Sequence, residues 1–274
     1  MKTFLAALAV LVVVAVAIVS IGYFLSQKTD VESTDVTLSD RTDGGAIKIA
    51  HVSDLHYPNG FLSLAELNRL LSEQQPDMIV FTGDIADGDA TETDIEHLST
   101  LFSASSTLCP SFLVIGNHEI GSKYLDLFLQ TAKTNGVTPL LNEIKTLSVR
   151  GKSLALIGLS DGYQLAKKTF PLVPKIDTLP KILLSHRPES LADYASAPDA
   201  LHPDLVFAGH AHGGIARIGS LSLYAPNQGL FPRYTSGLYK QNATSMVVSR
   251  GLGNSGTDFR CFNAYHLPIV TVHL

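Results

Sequence analysis

The sequence is short of charge and of cysteine. Asp, Glu, Lys and Arg make up 16% of the 274 residues, only two are Cys, and 45% are hydrophobic. That balance excludes a disordered chain, which needs more charge and less apolar residue, and a disulfide-stapled scaffold, which needs many more cysteines. Cys109 and Cys261 leave two readings open, one disulfide or two buried thiols. A net charge of −5 without a basic stripe provides no electrostatic footprint for nucleic acid, and none is expected as a partner. Internal repeats are also missing, as is a long insertion between His186 and Gly209 that would make a separate cap domain.

Charge is absent altogether from Phe4 to Leu25, a run of 22 residues. A helix of that length crosses a hydrocarbon core of about 30 Å, and a segment apolar on every face needs an apolar surrounding on every face. Ala15-Val16-Ala17 resembles a signal cleavage site, but the apolar run continues past it to Leu25, longer than a signal core, which favours an uncleaved anchor. Residues 1–25 are therefore expected to be a single-pass membrane anchor. Residues 26–45, rich in Ser, Thr and Asp, are expected to be a polar stalk, and 46–274 the functional domain. Three basic and five acidic residues precede residue 46, so the domain carries a net −3. Lys2 on one side, and Lys28 followed by Asp30, Glu32 and Asp35 on the other, give a slight cationic bias that places the domain outside the cytoplasm.

Five short apolar runs punctuate the domain, and each ends in residues able to hold a metal. Ala46–Val52 leads to Asp54-Leu55-His56, Met78–Phe81 to Gly83-Asp84, Phe112–Ile115 to Gly116-Asn117-His118-Glu119, Ile182–Leu184 to Ser185-His186, and Leu205–Ala208 to Gly209-His210-Ala211-His212. Such runs suit buried strands, and the stretches between them suit helices, with Ser63-Leu64-Ala65-Glu66 as a candidate capping box. Alternation of strand and helix predicts an α/β domain, whose ligands gather at the carboxyl ends of the strands. The runs at 153–159, 222–225, 245–248 and 269–272 are expected to supply a second sheet.

Asp54, His56, Asp84, Asn117, His118, His186, His210 and His212 mix oxygen and imidazole donors. That mixture suits Mn, Fe or Zn; Mg and Ca prefer all-oxygen sites, and structural zinc prefers thiolates. Two divalent ions against two aspartates and a hydroxide leave a positive centre. Ions about 3.5–4 Å apart generate hydroxide and clamp the attacking and leaving oxygens of an in-line displacement, so the expected chemistry is phosphoester hydrolysis.

The ordered blocks Asp54-x-His56, Gly83-Asp84, Gly116-Asn117-His118-Glu119, His186 and Gly209-His210-x-His212 resemble the calcineurin-like metallophosphoesterase superfamily. Ser185-His186-Arg187-Pro188 and Gly209–Gly214 resemble its bacterial membrane-associated or exported branch. The resemblance implies a four-layer αββα sandwich. It implies one metal on Asp54, His56 and His212, another on Asn117, His186 and His210, with Asp84 bridging and His118 serving as leaving-group acid. It also implies a phosphodiester or pyrophosphate substrate, including a lipid-linked one. Other implied readings are a hydrolase of UDP-2,3-diacylglucosamine type in lipid A synthesis, a phosphomonoesterase, and a non-catalytic binding domain on the same fold. Glu119 stands where many members carry Asp, and Ala211 where many carry Thr; neither position supplies a ligand.

Outside these blocks, His51, His97, His202, His266 and His273 read as structural, and Asp87 and Asp89 as solvated loop acids. Asp161 is open between a turn residue and a supporting role at the site. Tyr57, Asn59, Phe61, Tyr163 and Arg187 are candidates for a substrate pocket, although aromatics beside strands are more often core.

Overall fold

A computed structural model describes residues 1–38, 45–161, 176, 178–198, 201–254, 256 and 259–274. Tyr163 lies outside the described residues. The chain opens with helix α1, Lys2–Ser26, whose side chains are exposed except at Gly22 and Ser26, and which is long and apolar enough to cross a membrane.

Strand β1, Thr29–Thr37, follows immediately. This differs from the expected stalk: β1 pairs in parallel with β16, Tyr265–His273, from Thr29 opposite Tyr265 to Thr37 opposite His273. A strand at a sheet edge takes its hydrogen bonds from the neighbouring backbone, so a polar sequence suffices when one side chain such as Val36 is buried. The first sheet runs β1-β16-β2-β3-β4-β5, with β2 at Ala46–Val52, β3 at Met78–Thr82, β4 at Ser111–Val114 and β5 at Val137–Pro139. β16 contains the 269–272 run, so that run joins the first sheet and not the second; it lies antiparallel to β2.

The second sheet runs β14-β15-β9-β8-β7-β6. Its strands are β6 at Glu143–Val149, β7 at Lys152–Gly158, β8 at Lys181–Leu184, β9 at Leu205–Ala208, β14 at Gly237–Gln241 and β15 at Thr244–Val248. Between β9 and β14 lie two small hairpins, β10 (Arg217–Ile218) with β11 (Leu221–Ser222), and β12 (Tyr224–Ala225) with β13 (Gly229–Leu230). The 222–225 run therefore forms hairpin edges and adds no strand to the large sheet.

The alternation of side chains along each strand separates three apolar layers. Ile47, Ile49, Met78 and Val80 of the first sheet meet Leu156, Ile182, Leu184 and Phe207 of the second. The opposite faces, through Val52, Ile79 and Phe81, pack on helices α2 (Leu64–Gln74), α3 (Glu92–His97), α4 (Ser99–Leu108) and α6 (Leu125–Thr134). Ser63 caps α2 by accepting from the Glu66 N–H. Beyond the second sheet, Leu183, Val206 and Met246 pack on the short helix α7 (Leu191–Tyr194) and on Tyr234. The period-two pattern thus buries both faces of both sheets. Helix α5, Asn117–Gly121, begins where β4 ends.

Helix α1 is tied to the domain at its carboxyl end. The Phe262 N–H donates to the Gly22 carbonyl (2.9 Å), and the Asn263 N–H donates to Ser26 Oγ (2.9 Å). A Cβ at position 22 would stand 2.4 Å from Cys261 Sγ, so the contact requires glycine. Cys109 and Cys261 are free thiols.

Candidate metal centre

The carboxyl ends of β2, β3, β4, β8 and β9 carry Asp54 and His56, Asp84, Asn117 and His118, His186, and His210 and His212. Five of these residues hold left-handed backbone conformations: Asp54 and His56 at φ 50°, Asp84 at 52°, His210 at 64° and His212 at 47°. Non-glycine residues seldom adopt that region, and when several do so at one place the surrounding structure is holding side chains in orientations that ordinary turns do not provide.

Three groups of ligand atoms, each with its atoms within 4.8 Å of one another, result: Asp54, His56 and His212; His56, Asp84 and His118; Asp84, His186 and His210. The groups are contiguous, because His56 and Asp84 each belong to two of them. The His56 and His212 Nε2 atoms are 3.2 Å apart, and His210 Nδ1 lies 3.1 Å from His186 Nε2. Asp84 Oδ2 lies 3.1 Å from His186 Nε2 and 3.9 Å from His56 Nε2. Asn117 Oδ1 is buried without a hydrogen-bond partner.

The electrostatics are those of a site short of positive charge. Burial opposes ionisation of Asp84, yet His186, His56 and His118 hold its carboxyl well below the usual carboxylate range. Burial likewise opposes a proton on His186, but Asp84 and Asp54 push it up to about 10. His210 is driven down to about 3 and His212 well below its ordinary value, mainly by burial and then by neighbouring imidazoles. Converging imidazole lone pairs, two carboxylates and an orphaned amide oxygen fit divalent cations of the Mn, Fe or Zn type.

Several supporting contacts escape a reading of the sequence. Glu119, buried, accepts the N–H groups of Asp84, Ile85, Ala86 and Gly116 at 2.6–3.0 Å, and so fixes the β3 loop against the start of α5. Asp87, expected as a solvated loop acid, stands 2.8 Å from His118 Nδ1 and 3.5 Å from His56 Nδ1. Asn227, between β12 and β13, reaches His210 Nε2 at 3.0 Å. Asn263 donates to the His212 carbonyl at 2.7 Å, and Arg260, fully buried, lies 3.4 Å from His212 Nδ1. Each depends on a loop crossing, and spacing along the chain carries no sign of it.

Of the pocket candidates, Asn59 lines a cavity of about 620 Å³ together with Asp87, His118 and Asn254. Phe61 stacks on Tyr265 with ring centres 4.2 Å apart, Arg187 pairs with Asp161, and Tyr57 Oη lies 3.5 Å from His97 Nδ1. Asp161 is thus an ion-pair partner beside the His186 loop. His266 and His273 face Glu32 and Asp35 of β1, away from the ligand groups.

The calcineurin-like phosphoesterase family matches residues 47–214. Phosphodiesterase YaeI of Escherichia coli (strain K12) is similar, 27% identical over 220 residues that cover 78% of each chain. The uncharacterized metallophosphoesterase YkuE of Bacillus subtilis (strain 168) is 28% identical over 231 residues, 82% of this chain and 78% of that one. A transmembrane protein with metallophosphoesterase domain from Bos taurus is 27% identical over 238 residues, 78% of this chain and 50% of that one.

Proposed function

The chain belongs to the calcineurin-like phosphoesterase family and is a phosphoric ester hydrolase, and from that premise we propose that it cleaves phosphodiester or pyrophosphate bonds at a two-metal centre. The observation that carries the reading is the contiguity of the ligand groups through Asp84, whose carboxylate lies between the His56 and His186 imidazoles. One ion would be held by Asp54, His56 and His212 and the other by Asn117, His186 and His210, with Asp84 within reach of both. When bound, such a pair supplies Lewis acidity and a nucleophile derived from water.

The chain's own residues do the rest. The His186 Nδ1–H donates to the Thr82 carbonyl at 2.8 Å, which fixes the tautomer and turns Nε2 to the site. The carboxylate of Asp54 accepts the His210 N–H at 2.9 and 3.0 Å, locking the β9 loop against the β2 loop. His118, held by Asp87 through Nδ1, directs Nε2 to within 4.0 Å of Asp84 and delivers a proton to the leaving oxygen.

Phosphodiester specificity follows the name of the YaeI relative. Residues 1–25 anchor the chain in a membrane, in keeping with α1 and with the transmembrane relative, and residues 46–274, joined by edge strand β1, form the catalytic domain on the extracytoplasmic side. The test is turnover of bis(p-nitrophenyl) phosphate and p-nitrophenyl phosphate by the full chain in detergent. The reading expects the diester to be preferred, with activity lost in chelator and restored by Mn, Fe or Zn. Turnover of the monoester alone would make the protein a phosphomonoesterase, and metal binding with no turnover a non-catalytic domain.

A further inference from the structure

Outside α1, twelve large hydrophobic side chains are exposed among the described residues, and eight of them fall in two short segments, 218–231 and 259–262. The first segment is the hairpin pair β10–β13. Ile218 is 80% exposed, Leu230 68% and Phe231 64%. The two segments touch: Ala216 bridges Cys261, and the Arg217 N–H donates to the Cys261 carbonyl at 3.0 Å. Apolar residues so concentrated on a surface mark a place that meets something other than water.

What they meet is indicated by α1. A cleft of about 270 Å³ is walled by Ile18 and Val19 of α1 on one side and by Ile218, Leu221, Leu223 and Phe231 on the other, with Phe262 at its base. Val19 stands six residues before Leu25, the end of the charge-free run, so at 1.5 Å per residue it lies about 9 Å below that end. The hairpins therefore reach α1 at a level inside its apolar run. If α1 spans a bilayer, side chains beside Ile18 and Val19 cannot stay in water.

Charge points the same way. From Leu205 to Thr257 there is no Asp or Glu; of the cations in this stretch Arg217 is turned inward onto Gly213, Ser222 and Thr235 and Arg250 pairs with Asp30 and Glu32, which leaves Arg233 and Lys240 to face outward. Arg233 lies over the ring of Tyr234, 5.1 Å from its centre, on the segment that follows Phe231. An apolar hairpin tip with Arg233 beside it and no acid of its own suits an anionic lipid surface.

We infer that the hairpin tips, with Phe259 and Phe262, form a second membrane contact that seats the domain in the bilayer interface beside α1. The inference rests on the reading of α1 as a membrane span and deepens it. Asn227 of the β12–β13 turn touches His210, and Asn263 next to Phe262 touches His212, so the seated surface and the ligand histidines share the same loops. Phosphoesters carried on membrane lipids then reach the centre without leaving the leaflet.

The chain contains no Trp, so one introduced tryptophan reports its own surroundings. Phe231→Trp and, as a control, Leu108→Trp, exposed at the end of α4 before β4 begins, are reconstituted as full chains in phosphatidylcholine–phosphatidylglycerol vesicles with and without brominated acyl chains. The inference expects flotation of both, a blue-shifted Phe231→Trp emission that brominated lipid quenches by at least half, and little quenching of Leu108→Trp. Flotation without quenching of Phe231→Trp would overturn the docking surface while leaving the anchor intact. Failure to float would remove the anchor and the docking surface together, and equal quenching at both positions would reduce the contact to unspecific adsorption. None of these outcomes depends on turnover, so loss of the phosphohydrolase reading would be seen separately.

Discussion

Asp87 Oδ1 lies 2.8 Å from His118 Nδ1 and accepts the Gly88 N–H at 2.7 Å, which holds the carboxylate still while the imidazole presents its other nitrogen to the ligand cluster. This hydrogen bond is the main reason that His118 is more basic than an ordinary histidine, against the effect of its partial burial. Protonated His118 therefore persists to higher pH than it would alone. Asp87→Asn keeps the side-chain shape and removes the charge. The alkaline limb of the kcat profile on an alkyl phosphodiester should move to lower pH with metal content unchanged; an unmoved limb would separate Asp87 from the proton donor.

His118→Asn should retain metal and lose roughly 10²–10⁴-fold on alkyl phosphodiesters, the usual contribution of a positioned general acid. On bis(p-nitrophenyl) phosphate, whose leaving group needs no proton, the loss should be much smaller. Equal loss on both substrates with metal retained would remove the leaving-group role. Metal loss would make His118 a ligand, as its grouping with His56 and Asp84 permits.

Gly209 stands where the β9 loop passes the β2 loop, and a Cβ there would lie 1.9 Å from Ser53 Oγ and 2.1 Å from Asp54 Oδ2. Gly209→Ala should displace Asp54 from the His210 N–H, lower metal affinity, and destabilise the chain by about 1–3 kcal/mol, as overpacking does. Titration calorimetry with Mn or Zn and a melting curve read both effects.

These positions show how much the sequence declares. The strand-end cluster is legible in the sequence because each of its five blocks follows an apolar run, three of them through a turn glycine, Gly83, Gly116 or Gly209, a local pattern. The contacts that steady them are not: Asp87 reads as a solvated loop acid until the loop folds over His118, and Glu119, visible in the Gly116–Glu119 block as a non-ligand, shows no role until its carboxylate meets four backbone N–H groups of two loops. The run 269–272 reads as a strand, part of the longer β16, but hydrophobicity does not say which sheet it joins. Its partners β1 and β2 lie more than 200 residues earlier. Strand β1 was hidden because TDVESTDVT has too few apolar residues for a periodic signal, and its ladder uses backbone atoms alone.

His51 is wholly buried, with Nε2 2.7 Å from Thr82 Oγ1 and its ring edge-on to Phe207. Burial, and then His266, pushes its pKa down to about 3, so it is neutral in the folded chain while the unfolded chain takes up a proton near 6.5. Its contribution is complete above pH 6.5 and is lost as pH falls from there toward 3, at about 1.4 kcal/mol per pH unit for one proton. His51→Gln should flatten this part of the stability–pH curve, measured by denaturant unfolding at each pH; an unchanged slope would mean that His51 is not the group that titrates.

The orientation of the domain is tested with Lys240→Cys, an exposed position on β14. In spheroplasts an impermeant maleimide should label it. Labelling only after lysis would place the domain in the cytoplasm and bring nucleotide-linked substrates back into consideration.

The central claim is a pair of metals sharing Asp84, and metal content per chain, read by inductively coupled plasma mass spectrometry on the purified protein and two variants, tests it most directly. The account predicts close to two transition-metal ions in the wild type, loss of both in Asp84→Asn, and loss of about one in Asp54→Asn. An Asp84→Asn protein that keeps both ions and full turnover, or a fully active wild type with a single ion, would contradict it.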